Sequence, residues 1–223
     1  MDKHTDFSKR VSVHDVENEW QASPMAGVER KLLDRLGDEV ARATTIVRYA
    51  PESHFSAHTH TGGEEFIVLD GVFQDEHGDY PAGSYVRNPP TSSHTPRSDE
   101  GCTIFVKLWQ YDMDDRTFVR TDMHKMGAVS EVNRPGVKVT PLFEDEREFV
   151  RLETLSPGVE TEIVAEGGAE LLVLAGSFEE EGETFTERSW LRVPVGYVAK
   201  LRAGEGGAKI WMKTGHLNYV ARP

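Results

Sequence analysis

The segment His58-Thr59-His60-Thr61-Gly62-Gly63-Glu64, with His94 thirty residues farther on, supplies three imidazoles and a carboxylate. Imidazole nitrogen and carboxylate oxygen together suit a divalent transition metal; Zn, Fe, Mn and Ni all fit, and affinity order alone does not choose among them. Alternate residues of a strand share a face, so His58 and His60 point the same way. Thr61, Gly62 and Gly63 then bend the chain. Glu65-Phe66-Ile67-Val68-Leu69 resumes as a strand, because β-branched and aromatic residues favour extended backbone. Glu64 stands at the foot of that strand, close to the histidine pair, and His94 must arrive from a separate strand across a barrel. The expected metal ligands are therefore His58, His60, Glu64 and His94. With all four bound to a divalent ion the cluster carries a net charge of about +1, which attracts and polarises an anionic or enolate-like oxygen.

The elements that would position these groups are organised as a repeat. Glu65-Phe66-Ile67-Val68-Leu69-Asp70-Gly71-Val72-Phe73 has a partner in Glu170-Leu171-Leu172-Val173-Leu174-Ala175-Gly176-Ser177-Phe178, and Ser84-Tyr85-Val86-Arg87-Asn88-Pro89 in Ser189-Trp190-Leu191-Arg192-Val193-Pro194; both pairs are offset by 105 residues. Gly27-Val28 and Val47-Arg48 match Gly136-Val137 and Val150-Arg151 at slightly different offsets, and Ile104-Phe105-Val106-Lys107 resembles Lys209-Ile210-Trp211-Met212-Lys213. Self-similarity at a shared offset across several β-rich blocks means two copies of one domain. Turn signals such as His77-Gly78-Asp79, Pro81-Ala82-Gly83 and Pro157-Gly158 separate short runs rich in Val, Ile, Phe and Thr, the pattern of a sandwich or barrel. Val28–Leu36 has helix-like apolar spacing, but its partner Val137–Phe143 holds β-branched residues and Pro141, so a strand is expected in both copies. The reading is an N-terminal domain over residues 1–122, with a short extension ahead of it, and a C-terminal domain over 135–223. The linker lies within Thr121–Arg134.

Composition excludes several classes of function. The net charge of −13 argues against nucleic acid and anionic membrane surfaces as partners. The acidity is spread evenly, with 16 basic against 23 acidic residues up to position 140 and 9 against 15 beyond it. Cys102 is the sole cysteine, so no intrachain disulfide forms. No apolar stretch has the length of a membrane span, and the charged start Met1-Asp2-Lys3-His4-Thr5-Asp6 is unlike a signal peptide. The expected location is the cytoplasm.

His-x-His, three residues, Glu, six residues and Gly, at His58, His60, Glu64 and Gly71, resembles the first cupin motif; Pro81-x-Gly83 followed by His94 resembles a lengthened second one. More narrowly, the stretch from His58 to Leu69 and Tyr80-Pro81-Ala82-Gly83-Ser84-Tyr85-Val86-Arg87-Asn88-Pro89-Pro90 resemble the ChrR-type cupins, a group that includes the cupin domain of ChrR anti-sigma factors and proteins likened to acetylacetone-cleaving dioxygenases. The resemblance covers Trp20 to Tyr111 directly and the second half through the repeat. It implies an all-β fold of two tandem cupin barrels (double-stranded β-helix, jelly-roll), with a metal held at the positions of His58, His60, Glu64 and His94. It departs from ChrR at the start, where some twenty-five cysteine-free residues stand in place of a sigma-gripping zinc domain, so a sigma factor is not an expected partner. Alignment on Gly176 sets Ala169 opposite Glu64 and Ala199 opposite His94, and Glu160-Thr161-Glu162-Ile163-Val164-Ala165 lacks histidine. The second copy is expected to hold no metal.

Other residues carry plainer readings. Glu65 faces away from Glu64, and its partner Glu170 persists in the copy without ligands, so Glu65 is structural. Cys102 reads as a small buried residue, with no basic neighbour to lower its pKa. His54 is at most a pocket wall, and His4, His14, His77, His124 and His216 read as solvated. Tyr85, Arg87, Phe105 and Trp109 fit a barrel lining and core packing equally well. Two classes of function remain: a metal-binding sensor or ligand-binding module, and an Fe(II)-type dioxygenase acting on an enolisable dicarbonyl-like small molecule. Fold alone does not choose between them.

Overall fold

The computed structural model describes residues 2–223, and apart from two short 3-10 turns, Asp15–Glu17 and His216–Tyr219, its regular structure is all β. No helix among the described residues is long and apolar enough to cross a membrane. The chain divides into two compact β-barrel units. One gathers the residues up to Thr5 with Glu19–Lys125 and Ala221–Pro223; the other gathers Asp6–Asn18 with Met126–Val220.

In the first unit the main sheet runs, edge to edge, through Val119–Asp122, Ser84–Asn88, Glu64–Asp75, Cys102–Leu108, Ala41–Tyr49, Val28–Gly37 and Gln21–Ala22. All neighbours are antiparallel. A separate two-stranded sheet pairs His58–His60 with Ser92–His94. Phe66, Val68, Val86, Ile104 and Val106 point into one apolar cluster with Phe73 and Tyr80. The alternate residues Glu65, Ile67, Tyr85, Arg87, Phe105 and Lys107 point the other way and are buried too. Burial on both faces explains why this segment reads as a continuous apolar run rather than an alternation. It also decides a point that the sequence left open. Tyr85, Arg87 and Phe105 lie on the face opposite the interior cluster and do not line the barrel.

Val28–Gly37 is a strand, and its helix-like spacing has a local cause. The pairing with Ala41–Tyr49 slips between Leu32 and Asp34, so Leu32 and Leu33 are both buried in succession. A bulge of this kind adds one unpaired residue and breaks the two-residue period. Val137–Glu144 slips at the matching place, between Pro141 and Phe143.

The second sheet runs through Val11–Val13, Trp190–Val193, Ala169–Glu180, Tyr197–Thr214, Phe149–Leu155, Val137–Glu144 and Val129–Ser130. Its edge strand comes from ahead of the first barrel in sequence, with Val11 opposite Arg192 and Val13 opposite Trp190. Ion pairs hold that segment: Arg10 reaches Glu180 at 2.6 Å and Glu183 at 2.7 Å, and His14 reaches Glu183 at 2.9 Å while packing on Phe185. Two histidines read as solvated are therefore engaged. His14 is half-buried, and His216 is buried against Glu170 at 2.8 Å.

Register makes the repeat explicit. Cys102 faces Tyr49 and Gly71 in the first unit, as Ala208 faces Leu155 and Gly176 in the second. Val28 faces Tyr49 as Val137 faces Leu155, so Gly27-Val28 and Gly136-Val137 do correspond. Val47-Arg48 does not correspond to Val150-Arg151; the register sets it against Glu153-Thr154. A dipeptide likeness carries no register, which bulges and turns determine. The repeat extends to buried charge. Glu65 lies opposite Arg87 and Lys107, and Glu170 opposite Arg192 and Lys213, all six being at most 1% exposed.

Candidate metal centre

His58 and His94 are register partners across the two-stranded sheet, so their rings share one face with that of His60. The three ring centroids are 4.7–5.0 Å apart, and their nearest ligand nitrogens all lie within 4.8 Å of one another. His60 Nε2 and His94 Nε2 approach to 2.9 Å. Glu64 Oε2 stands 3.3 Å from the former and 3.7 Å from the latter. Two nitrogens bound to one ion at about 2.0–2.1 Å sit about 3 Å apart, so His60 and His94 already have the spacing of two ligands of one cation. His60 and His94 are buried while His58 is exposed, and the cluster is thus open on one side. His54 is exposed and lies in a different strand pair.

The turn between His60 and Glu64 has a packing reason for its glycines. A Cβ on Gly62 would come within 2.0 Å of the Trp109 ring, and one on Gly63, at φ +78°, within 2.5 Å of Tyr111. The Tyr111 hydroxyl also donates to the Glu64 carbonyl oxygen at 2.8 Å. Trp109 and Tyr111 therefore clamp the turn from outside, which is the role of Trp109 that sequence alone did not separate from barrel lining.

Outer hydrogen bonds aim the ligands. His58 Nδ1–H donates to the Ser56 carbonyl oxygen at 3.1 Å, which leaves Nε2 with its lone pair. His94 Nδ1–H donates to Asp75 Oδ2 at 3.2 Å with the same consequence. Asn88 Nδ2 donates to Glu64 Oε2 at 3.2 Å. Electrostatics differ between the buried imidazoles. Burial pushes His60 below its ordinary pKa, with His94 and His58 adding to the effect and Glu64 opposing it. Burial acts the same way on His94, but the Asp75 hydrogen bond and the charges of Glu64, Asp75 and Glu76 outweigh it and hold His94 above its usual value. For Asp75 burial favours the neutral acid, yet bonds from His94, the His77 N–H and Tyr80 prevail and keep its pKa below the ordinary one. Cys102 takes no part. It belongs to the apolar cluster, and burial pushes its thiol up to about 11.

Residues 8–112 match the family model described as the ChrR cupin-like domain. This stretch is similar to a ChrR-type cupin domain. Solved structures of the same fold include a candidate dioxygenase from Nostoc punctiforme, at 15% identity and a TM-score of 0.73, covering 99% of this chain and 84% of that one. The bacterial pirin YhhW of Escherichia coli in complex with nickel(II) is 13% identical, with a TM-score of 0.66 over 92% of this chain and 98% of that one. Oxalate decarboxylase of Bacillus subtilis, with Mn(II) centres, is 10% identical, with a TM-score of 0.64 over 100% and 80%. Identities this low establish fold only. No curated protein matches the chain significantly.

The second barrel has hydrocarbon at the corresponding positions. Ile163 pairs with Ala199 as His58 pairs with His94, and Ala165 and Ala169 stand at the places of His60 and Glu64. All four join one apolar cluster. Their side chains carry no ligand atom.

Asp75, Asn88 and Tyr80 adjoin the ligands and have no local signature, since each is brought in by strand pairing. Asp75→Asn tests this outer layer. The amide NH2 would donate to His94 Nδ1 and drive the ring proton to Nε2, where a ligand lone pair is needed. Metal affinity in a chelator competition is expected to fall about 10–100-fold with the fold intact. Unchanged affinity would remove Asp75 from the site.

Proposed function

We propose that His58, His60, Glu64 and His94 hold a divalent transition metal at the open end of the first cupin barrel, and that the centre binds and activates a small oxygen-donor molecule in the manner of a metal-dependent dioxygenase. The observation that carries this reading is the convergence of three imidazoles and one carboxylate with a single exposed edge at His58. The donor set of three nitrogens and one oxygen, with no thiolate, suits Fe, Mn, Ni or Zn; nickel(II) and Mn(II) in two proteins of this fold agree with such a set. A bound ion supplies Lewis-acid polarisation of a ligated carbonyl or enolate oxygen. The chain's own part is positional. Asp75 holds the His94 ring, Asn88 holds the Glu64 carboxylate, and Trp109 and Tyr111 clamp the connecting turn. Phe66, Phe73 and Val86 behind the ligands keep water from the barrel interior.

The test is O₂ consumption by iron-loaded protein over a panel of β-diketones. Consumption that depends on both iron and diketone supports the enzyme. A second reading is favoured by the ChrR cupin-like match over residues 8–112. In it the same centre is a regulatory module, in which gain or loss of metal or ligand changes a surface. Stoichiometric zinc with no turnover on any diketone is the result expected of that module, and would overturn the enzyme.

A further inference from the structure

Arg120 lies on the edge strand Val119–Asp122 and pairs with Val86, a member of the interior cluster. Directly paired residues share a face, so Arg120 is on the interior face of the barrel wall. Its Nε donates to the Tyr80 hydroxyl at 3.0 Å and its Nη2 to Asn88 Oδ1 at 3.3 Å. Asn88 donates to the ligand Glu64, and Tyr80 donates at 3.2 Å to Asp75 Oδ1, the carboxylate that holds His94. The guanidinium thus stands one residue from Glu64 and two from His94, with the half-exposed Phe118 ring 5.2 Å away.

Several more buried arginines of this chain meet carboxylates: Arg10 with Glu180, Arg87 with Glu65 and Asp115, Arg134 and Arg151 with Glu153. Arg120 makes no ion pair among the described residues, and both of its hydrogen-bond partners are neutral. Two bonds and the adjacent ring hold the fork stiff, while the residue as a whole is exposed and Nη1 stays uncommitted. A guanidinium so held presents planar donors matched to a carboxylate.

We infer that Arg120 anchors the carboxylate of an anionic small molecule whose carbonyl or enol oxygen faces the histidine cluster, so that the site takes 2-oxo acids in preference to neutral dicarbonyls. The carbonyl end of this assignment rests on the metal reading above; the carboxylate end does not. Pyruvate and its neutral methyl ester share the carbonyl and differ in charge. Both are titrated calorimetrically into metal-loaded and chelator-stripped protein, as wild type, Arg120→Gln and Arg120→Lys, with metal content measured alongside. Wild type should prefer pyruvate by about tenfold or more, the lysine variant should keep part of that preference, and the glutamine variant should lose it while retaining wild-type metal content. Undiminished preference in the glutamine variant, or none in wild type, overturns the assignment. Failure of the metal reading shows itself separately, as wild-type protein that retains no metal, and the stripped-protein titration still reads Arg120.

Discussion

His60→Ala is expected to abolish stoichiometric metal binding and leave both barrels folded. His60 is the hub of the cluster, with Nε2 at 2.9 Å from His94 Nε2 and 3.3 Å from Glu64 Oε2. Its removal takes away one ligand together with the two shortest approaches in the cluster, and the remaining imidazoles and carboxylate are too few to hold an ion tightly. The fold does not depend on it, because the apolar cluster of Phe66, Val68, Phe73, Ile104 and Val106 is independent of the imidazoles. Elemental analysis of protein purified without added metal should fall from about one equivalent to background, with circular dichroism unchanged. Glu64→Gln should give a weaker effect, since the amide keeps its contact with Asn88 and loses only the charge. His54→Ala, at an exposed histidine outside the cluster, should behave as wild type. Full metal content in His60→Ala would mean that the ion sits elsewhere, and the proposed function would go with it.

Glu170→Ala is expected to be the most damaging change in the second barrel. Glu170 is fully buried, accepts from Trp190 Nε1 at 3.2 Å and from His216 Nε2 at 2.8 Å, and lies in register with the cations Arg192 and Lys213. Deleting one member of a buried charge cluster leaves the others poorly compensated, at a cost of about 3–5 kcal/mol. Glu170→Gln retains an acceptor and the side-chain volume and should cost less. Urea unfolding followed by tryptophan fluorescence reads this directly, because Trp190 and Trp211 are both buried in this unit. A loss below about 1 kcal/mol for the alanine variant, the ordinary size of a surface change, would show that the cluster is dispensable.

Much of the candidate site was legible in the sequence. That His58, His60, Glu64 and His94 lie together follows from residue type and spacing, because a strand's two-residue period and a glycine turn convert short sequence distances into a shared face. The all-β class followed from β-rich runs between turn residues, and the repeat from a constant offset. Glu65 was separable from Glu64 by parity, and its bonds to Tyr85 and Arg87 agree with the structural reading. The solvated reading of His14 and His216 failed because their partners, Glu183 and Glu170, lie 169 and 46 residues away.

What the amino-acid sequence determined by itself was whatever depends on neighbours within a few residues: strand parity, glycine-permitted turns, and the ligand types gathered around one bend. Tertiary structure alone decided which distant groups complete them. Asp75 behind His94, Arg120 beside Asn88 and Tyr80, and residues 11–13 as an edge strand of the second barrel all depend on antiparallel register, which is settled over the whole sheet by bulges and burial. A register is a property of two segments at once, so neither segment read singly contains it.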